Sequence, residues 1–281
     1  MKSNSLKKPV NSLPFSWYFE NKFFQKEIDK IFNTEWIYVC HINSINNNNY
    51  RTLSINNKNI VVIKNKYQDI SVFYNTCSHR GSQIFDQPEG KIMAPVIICP
   101  YHQWSYNIND GSLINTTSIN LNKFDKTKYG LKKVNFHIWK GLIFINIKSK
   151  KKFNHKSIFQ YYDKTIEQVD LENYAVGHVW KKNVQCNWKI YWENFSECLH
   201  CPNIHPELSD LVPLFKRRLT DIKDHPEWNI LKLNNPNPQY QGGLKEGSQT
   251  WSYDGSAQGH TIESIQKEME SRGQIYISTW P

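Results

Sequence analysis

Two short cysteine–histidine pairs constrain the fold of this 281-residue chain more than any other feature. One residue separates Cys77 from His79, two separate Cys99 from His102, and 19 residues (80–98) lie between the pairs. Thiolates and imidazoles are the side chains that bind zinc and iron in proteins. The spacing therefore indicates a fold that brings two distant loops together around a metal centre.

The sequence around both pairs has the pattern of short β-strands. Runs rich in β-branched and aromatic residues alternate with asparagine-rich turns, and Asp110–Gly111 is a strong hairpin signal. We predict a small all-β domain over residues 36–149, with both pairs in loops between strands. The predicted strands are Trp36–Ile42, Tyr50–Ile55, Asn59–Lys64, Ile70–Tyr74, His102–Ile108, Gly111–Ile114 and Gly141–Ile147.

Helical patterns flank this region and give a predicted fold class of α+β. Residues 16–34 carry apolar side chains at helical spacing, with Ser16 as the N-cap, and 1–35 are expected to pack on the second domain. Residues 150–281 form that second domain. It is predicted to contain a helix near Ile158–Val169, a strand over Ala175–Asn183 and a helix that begins near Asn187.

Composition and charge exclude several classes of protein. Aromatic residues make up 14% of the chain, which favours a packed core over disorder. The net charge is +10, but the lysines are spread along the chain beside many asparagines, so we expect no nucleic-acid partner. The longest apolar runs are too short to span a bilayer, and no apolar segment follows the basic N-terminus. We therefore expect a cytoplasmic protein without membrane contact, whose six cysteines are reduced.

The residue types alone leave two metals open for Cys77, His79, Cys99 and His102. Zinc suits two thiolates and two imidazoles, although zinc fingers and ribbons pair one cysteine with another rather than with a histidine. A two-iron cluster explains the observed pairing, because two thiolates would hold one iron and two imidazoles the other. Neutral imidazoles in place of thiolates also raise the reduction potential of such a cluster.

A second group of candidate ligands lies further along the chain at Glu197, His200 and His205. On a continuous helix, Glu197 and His200 share one face, and Pro202 is predicted to end that helix. The chain would then turn and bring His205 toward His200. Two imidazoles and a carboxylate suit non-haem Fe(II) with open coordination positions. Cys198 and Cys201 beside His200 offer a zinc alternative, but helical geometry directs the three side chains apart, so we interpret both cysteines as packing residues.

Both groups of residues resemble motifs of one known family. The segments Cys77-Ser-His-Arg-Gly and Cys99-Pro-Tyr-His-Gln-Trp resemble the two loops of a Rieske [2Fe-2S] domain. The segment from Asn187 to Leu208 is similar to the mononuclear-iron motif of Rieske non-haem iron oxygenase α-subunits, the ring-hydroxylating oxygenase family. This resemblance implies that His200 and His205 bind Fe(II) and that Glu197 bridges the two metal centres. Arg80 and Trp104 would either support the cluster or pack the loops.

The resemblance also implies an activity. Many ring-hydroxylating dioxygenases have Asp at the bridging position, whereas Glu197 and its neighbours look more like the branch that oxidises quaternary ammonium compounds such as choline, carnitine, glycine betaine and stachydrine. Such an enzyme uses O2 and electrons from NAD(P)H, delivered by a separate reductase or ferredoxin. The family implies a homotrimer in which the cluster of one subunit serves the iron of its neighbour. The alternatives are an aromatic ring-hydroxylating dioxygenase α-subunit, a non-catalytic Rieske electron-transfer protein and a zinc-binding module.

The length of the chain raises a question about the third iron ligand. In the family this ligand is a carboxylate far beyond the second histidine, but only 76 residues (206–281) follow His205. Asp254 and Glu263 are available acids, and neither stands in a matching context. We therefore expect a C-terminally truncated α-subunit whose helix-over-antiparallel-sheet catalytic domain is incomplete.

Overall fold

The computed structural model describes residues 11–117, 124–148, 151–159, 169–177, 179, 181–196 and 199–211. The chain divides into two compact units, which we describe separately. Asn21–Lys181 forms the larger unit, and the residues up to Glu20 together with those from Lys182 onward form the smaller one.

The described residues of the larger unit form three antiparallel sheets. A four-stranded sheet has the order β4-β3-β2-β5, and the two three-stranded sheets have the orders β1-β10-β9 and β6-β7-β8. The strands are β1 Ile37–His41, β2 Asn49–Ile55, β3 Lys58–Lys64, β4 Ile70–Tyr74, β5 Glu89–Lys91, β6 Val96–Ile98, β7 Ser105–Asn107, β8 Leu113–Asn115, β9 Asn135–Trp139 and β10 Leu142–Asn146.

Strand β3 is buried on both of its faces and organises this unit. Its central residues, 60–63, have no exposed surface. Because side chains alternate along a strand, Val61 and Ile63 pack in a core that contains Cys77. Ile60 and Val62 pack in a separate core on the other face of the sheet. A rigid central strand of this kind fixes the positions of the loops at the ends of its neighbours.

The strand predictions are largely confirmed. Strands β1–β4, β8 and β10 lie within one or two residues of the predicted positions, whereas β7 begins three residues later than predicted, and the Asp110–Gly111 hairpin joins β7 to β8. The sequence did not indicate β5, β6 or β9. Strand β9 pairs with β10 across a two-residue turn in which Lys140 and Gly141 both have positive φ (48° and 77°).

The predicted N-terminal helix is interrupted. It consists of α1 Ser16–Phe19 and α2 Asn21–Glu27, followed by a π-helical turn, Ile28–Phe32. Glu20 is extended (ψ 124°) and separates the two helices. The prediction of Ser16 as N-cap is wrong, because Phe15 already has helical backbone angles and Ser16 is the first helical residue.

The remaining helices confirm one prediction and correct another. Helix α3 is His155–Ile158, and residues 160–168 of the predicted helix lie outside the described residues. Helix α4, Trp188–Phe195, begins as predicted after Asn187, whose side chain accepts a hydrogen bond from the Lys189 amide. It is followed by α5 Cys201–Ile204 and α6 Pro206–Leu211. The strand predicted over Ala175–Asn183 is wrong for the described residues of that range, which pair with no strand.

These elements confirm the α+β class. The sheet expected in residues 150–281 stays a prediction, as do the boundaries at 35/36 and 149/150 and the packing of residues 1–35 on the second domain. Among the helices that the structure describes, none combines the length and the apolar character needed to cross a bilayer.

Candidate metal centres

The two loops that carry the cysteine–histidine pairs share one backbone pattern. After β4, the Cys77 amide donates to the carbonyl five residues later (2.8 Å), and the Gly81 amide donates back to the Cys77 carbonyl (3.0 Å). After β6, the Cys99 amide donates to the carbonyl five residues later (2.9 Å), and the Gln103 amide donates back to Cys99 (2.9 Å). The residue four positions after each cysteine has a positive φ, 77° at Gly81 and 57° at Gln103. Two equivalent chain reversals therefore hold the two cysteines.

The two thiols lie in the core of the larger unit. Cys77 is 3% exposed and Cys99 is 1% exposed. Burial raises the pKa of the Cys77 thiol, a hydrogen bond with Tyr106 opposes that rise, and the neighbouring Cys99 adds to it. The Tyr106 hydroxyl lies 3.0 Å from Cys77 Sγ. Burial and the contact with Cys77 hold the pKa of Tyr106 far above its usual range, so its protonated hydroxyl can donate to the sulfur.

The two imidazoles also lie together. The ring centroids of His79 and His102 are 4.8 Å apart, and the indole of Trp104 stacks on His79 at 4.5 Å with an interplanar angle of 8°. His79 Nδ1 is buried without a hydrogen-bond partner in the described part of the chain. Burial, followed by the neighbouring His102 and Arg80, lowers the pKa of His79. A low pKa favours the neutral imidazole, which is the form that binds metal.

These four side chains fit a cluster of two irons. Two neighbouring buried thiols and two neighbouring imidazoles supply two ligands for each iron, and a metal would satisfy the unpartnered His79 nitrogen. Within the described residues, no three His, Cys, Asp or Glu side chains are grouped as ligands for one metal ion.

The structure adds residues that the sequence analysis missed. Tyr106 alternates with Trp104 along the chain, and both side chains are buried beside the cysteines. Residues two positions apart lie on the same face of a strand, so the spacing of Trp104 and Tyr106 was the sequence signal that could have identified Tyr106. Phe124 and Tyr129 stack on each other at 4.4 Å, and each ring packs against Trp104 in a T-shaped arrangement. Trp104 thus lies between His79 and an aromatic pair, whereas Arg80 is exposed.

The contact between Tyr106 and Cys77 gives a testable prediction. Changing Tyr106 to Phe removes a hydroxyl donor from the sulfur, and such a donor stabilises the reduced cluster because reduction adds negative charge. We expect the reduction potential to fall by about 40–60 mV, the equivalent of one hydrogen bond for a one-electron couple. Protein-film voltammetry measures the change. The variant Tyr38→Phe, whose tyrosine lies on β1, is the control, and equal potentials in all three proteins would contradict the prediction.

His200 and His205 lie at the two ends of helix α5. The His200 carbonyl accepts from the amides of Asn203 and Ile204 (3.1 and 3.0 Å), and the His205 amide donates to the Cys201 carbonyl (2.9 Å). One helical turn therefore separates the histidines, and their ring centroids are 5.5 Å apart at an interplanar angle of 75°. The structure brings the two imidazoles together, as the predicted iron site requires.

The route to this arrangement differs from the predicted one. Helix α4 ends at Phe195, and Ser196 donates through both its amide and its hydroxyl to the Trp192 carbonyl (2.9 and 2.7 Å). His200 therefore does not continue the face of α4, and the predicted common helical face is wrong. Pro202 lies in the first turn of α5, where its missing amide costs no hydrogen bond, rather than ending a helix.

Several predicted participants lie outside the described residues. They include the bridging acid Glu197, the acids Asp254 and Glu263, and Cys198 of the zinc alternative. Cys201 is buried, in agreement with a packing role. Of the ligands predicted for the second site, the described part of the chain thus contains only the two histidines.

Comparison with known proteins matches two parts of the chain to known domains. Residues 35–125 match the model of the Rieske [2Fe-2S] domain, and residues 171–281 match that of the ring hydroxylating alpha subunit (catalytic domain). The chain is 32% identical over 203 residues to the glycine betaine monooxygenase oxygenase subunit of Pseudomonas aeruginosa strain UCBPP-PA14, covering 70% of this chain and 45% of that protein. It is 25% identical over 298 residues to the 2-aminobenzenesulfonate 2,3-dioxygenase subunit alpha of an Alcaligenes species, covering 83% and 74%.

A comparison with solved structures also finds proteins similar to this chain. A quaternary ammonium Rieske monooxygenase, whose structure is reported to give insights into carnitine oxidation by gut microbiota and inter-subunit electron transfer, superposes with a TM-score of 0.64. The sequences are 27% identical, and the match covers 71% of this chain and 55% of the other. The present chain thus spans about half the length of this protein and of the glycine betaine enzyme subunit.

Proposed function

Because the chain belongs to the Rieske oxygenase α-subunit family, we propose that it is the oxygenase component of an enzyme that uses O2 to oxidise a small quaternary ammonium compound. The observation that carries this proposal is the presence, in one chain, of two groups of candidate metal ligands. One pair of loops gathers two thiols and two imidazoles, and helix α5 gathers two further imidazoles.

In the proposed enzyme Cys77, His79, Cys99 and His102 hold a [2Fe-2S] cluster, and His200 and His205 hold a mononuclear Fe(II). When bound, the cluster supplies one-electron transfer and the ferrous ion supplies activation of O2. The chain's own residues adjust these groups. Tyr106 donates a hydrogen bond toward Cys77, and Trp104 covers His79.

Electrons reach such an enzyme from outside. We propose that a separate reductase oxidises NAD(P)H and passes the electrons to the α-subunit one at a time, either directly or through a ferredoxin, and that the α-subunit forms a homotrimer. Glu197 would then accept hydrogen bonds from His200 of its own chain and from His102 across the subunit interface. The relative with reported inter-subunit electron transfer supports this arrangement. A cytoplasmic location would keep the ligand cysteines reduced.

The bridging role of Glu197 is tested by changing it to Gln. The amide keeps the size of the side chain but loses the negative charge that accepts hydrogen bonds from two histidines. We expect both metals to remain bound. The rate of product formation in a single turnover, which depends on electron transfer from the cluster to the iron, should fall by a factor of about 10–100. Metal analysis and single-turnover product measurement provide the two readouts. Turnover at the wild-type rate would contradict the bridging role.

The substrate class is the second part of the proposal. A quaternary ammonium ion is bound by aromatic faces and carboxylates, and oxidation at a carbon next to the nitrogen leads to loss of that carbon as an aldehyde. Oxygen uptake by the full-length protein with its reductase, measured with a panel of betaines and aromatic acids, tests this class. Uptake with the aromatic acids alone would favour the alternative, an aromatic ring-hydroxylating dioxygenase, which the similarity to the 2-aminobenzenesulfonate enzyme supports.

A third candidate is a non-catalytic Rieske electron carrier. The iron content separates it from an oxygenase, because a carrier would hold two irons per chain and an oxygenase three. The proximity of His200 and His205 favours the oxygenase. A zinc-binding module would be colourless, whereas the proposed cluster absorbs visible light.

A further inference from the structure

Three residues of helix α4 and its N-cap contact a single residue of the N-terminal segment, Tyr18. The Asn187 side-chain amide donates to the Tyr18 carbonyl (3.1 Å), and Lys189 Nζ lies 5.6 Å from the centre of the Tyr18 ring. The Tyr18 hydroxyl donates to Glu193 Oε1, one turn further along the helix. The carbonyl, the ring and the hydroxyl of one tyrosine thus each contact a different residue of α4 or its cap. All four residues belong to the smaller unit.

Ser12 strengthens the contact at Glu193. Its hydroxyl donates to the same carboxylate oxygen, Glu193 Oε1 (3.0 Å), and lies 2.8 Å from the Tyr18 hydroxyl. Hydrogen bonds to an ionised carboxylate are stronger than those between neutral groups. The contact joins residues that are 175 and 181 positions apart in the chain. It therefore fixes α4 against the N-terminal segment rather than against its own neighbours.

Helix α4 depends on such polar contacts because its aromatic side is poorly buried. Trp192 is 55% exposed and Phe195 is 46% exposed, so burial of these side chains contributes little to fixing the helix. The chain that leaves α4 at Phe195 reaches His200 five residues later, within the same unit. The position of α4 therefore determines where the segment with His200 and His205 begins.

We propose that Tyr18 is a positioning residue for the mononuclear-iron site. By holding Glu193, Lys189 and the Asn187 cap, it fixes helix α4 so that His200 and His205 are presented to one metal ion. This inference rests on the proposed function, because it takes these two histidines to be iron ligands. It assigns a role in metal binding to the N-terminal segment, which carries no metal ligand in the proposed function.

The test compares Tyr18→Phe with wild-type full-length protein that contains an intact cluster. Fe(II) is titrated into protein depleted of the mononuclear iron, and its dissociation constant is measured while the visible absorption reports the cluster. We expect the dissociation constant to rise about tenfold, which corresponds to ~1.4 kcal/mol, with an unchanged cluster spectrum. Tyr67→Phe is the matched control, because Tyr67 is a 70% exposed tyrosine of the larger unit.

A double-mutant cycle separates this role from general destabilisation. If Tyr18 acts through Glu193, adding Tyr18→Phe to Glu193→Ala, which leaves no acceptor for the hydroxyl, should weaken Fe(II) binding no further than Glu193→Ala alone. Ser12→Ala, which removes the other donor to the same oxygen, should raise the dissociation constant about threefold and serves if Tyr18→Phe does not fold.

The outcomes distinguish the two proposals. The positioning role would be overturned if Tyr18→Phe bound Fe(II) with wild-type affinity, or if Ser12→Ala did so where Tyr18→Phe does not fold. Strictly additive effects in the double-mutant cycle would also overturn it. Wild-type protein with an intact cluster that takes up no third iron would instead overturn the proposed function.

Discussion

Replacing Cys99 with Ser is expected to abolish the visible absorption of the iron–sulfur cluster. Cys99 is almost fully buried beside Cys77, so no solvent ligand can take its place without rearrangement of the core. A serine hydroxyl stays protonated at neutral pH and is a poor ligand for iron in a sulfide cluster. We expect less than about a tenth of the wild-type cluster content, because the metal, its ligands and the loop fold are linked. Iron and acid-labile sulfide analysis together with the visible spectrum measure the loss.

Two other cysteines provide controls for this experiment. Cys40 is buried in the second core of the larger unit, so Cys40→Ala should lower the free energy of unfolding by about 1–2 kcal/mol and leave the cluster in place. Cys186 is exposed, and Cys186→Ser should change neither property. Two results would show that the ligands are assigned incorrectly. One is full cluster content in Cys99→Ser. The other is loss of the cluster in Cys40→Ala with no larger fall in the free energy of unfolding than expected.

The cluster site was predictable because its chemistry is local. Each cysteine lies within three residues of its histidine, and metal ligation requires those residue types whatever the rest of the chain does. The backbone that supports the ligands was less visible. Gly81 signals a positive φ, but the equivalent residue of the second loop is Gln103, whose φ of 57° follows from the hydrogen bonds that close the loop. Propensity alone gives no sign of it.

The limits on strand prediction have a similar cause. Strand β3 was predictable because a strand buried on both faces needs a continuous apolar run. Strand β9 is at the edge of its sheet, and its first four residues are exposed, so its pattern is set by pairing with β10 rather than by burial. The position of an edge strand such as β9 is therefore determined by hydrogen bonding to the neighbouring strand, which its own sequence does not reveal.

The second site shows where local reasoning fails. The apolar period beyond Asn187 favoured one helix up to Pro202, but Ser196 offers its own hydroxyl to the Trp192 carbonyl and the helix ends there. The contact between Tyr18 and Glu193 joins residues 175 positions apart, and no periodicity reports such a contact. The proximity of His200 and His205 was predicted correctly, although helix α5 rather than a turn after Pro202 produces it.

Changing His205 to Ala is expected to remove the mononuclear iron and leave the cluster intact. His200 and His205 lie 5.5 Å apart between ring centroids, and a site with only one of the two imidazoles loses the chelation that holds Fe(II). We expect the iron content to fall from three to two per chain and substrate-dependent oxygen uptake to fall by a factor of at least about 100. The reductase should still reduce the cluster at the wild-type rate, since His205 and the four cluster ligands belong to different units.

A second histidine variant makes this result specific. His155 stacks on Trp139 in the larger unit, so His155→Ala removes an imidazole of similar size without touching either proposed site. It should keep three irons per chain and the wild-type rate of oxygen uptake. Iron analysis, the visible spectrum and uptake measured on the same preparations separate the cases, because loss of the cluster and loss of the mononuclear iron change different signals. Three irons and full activity in His205→Ala would exclude His205 as a ligand and would direct the search for the second imidazole away from helix α5.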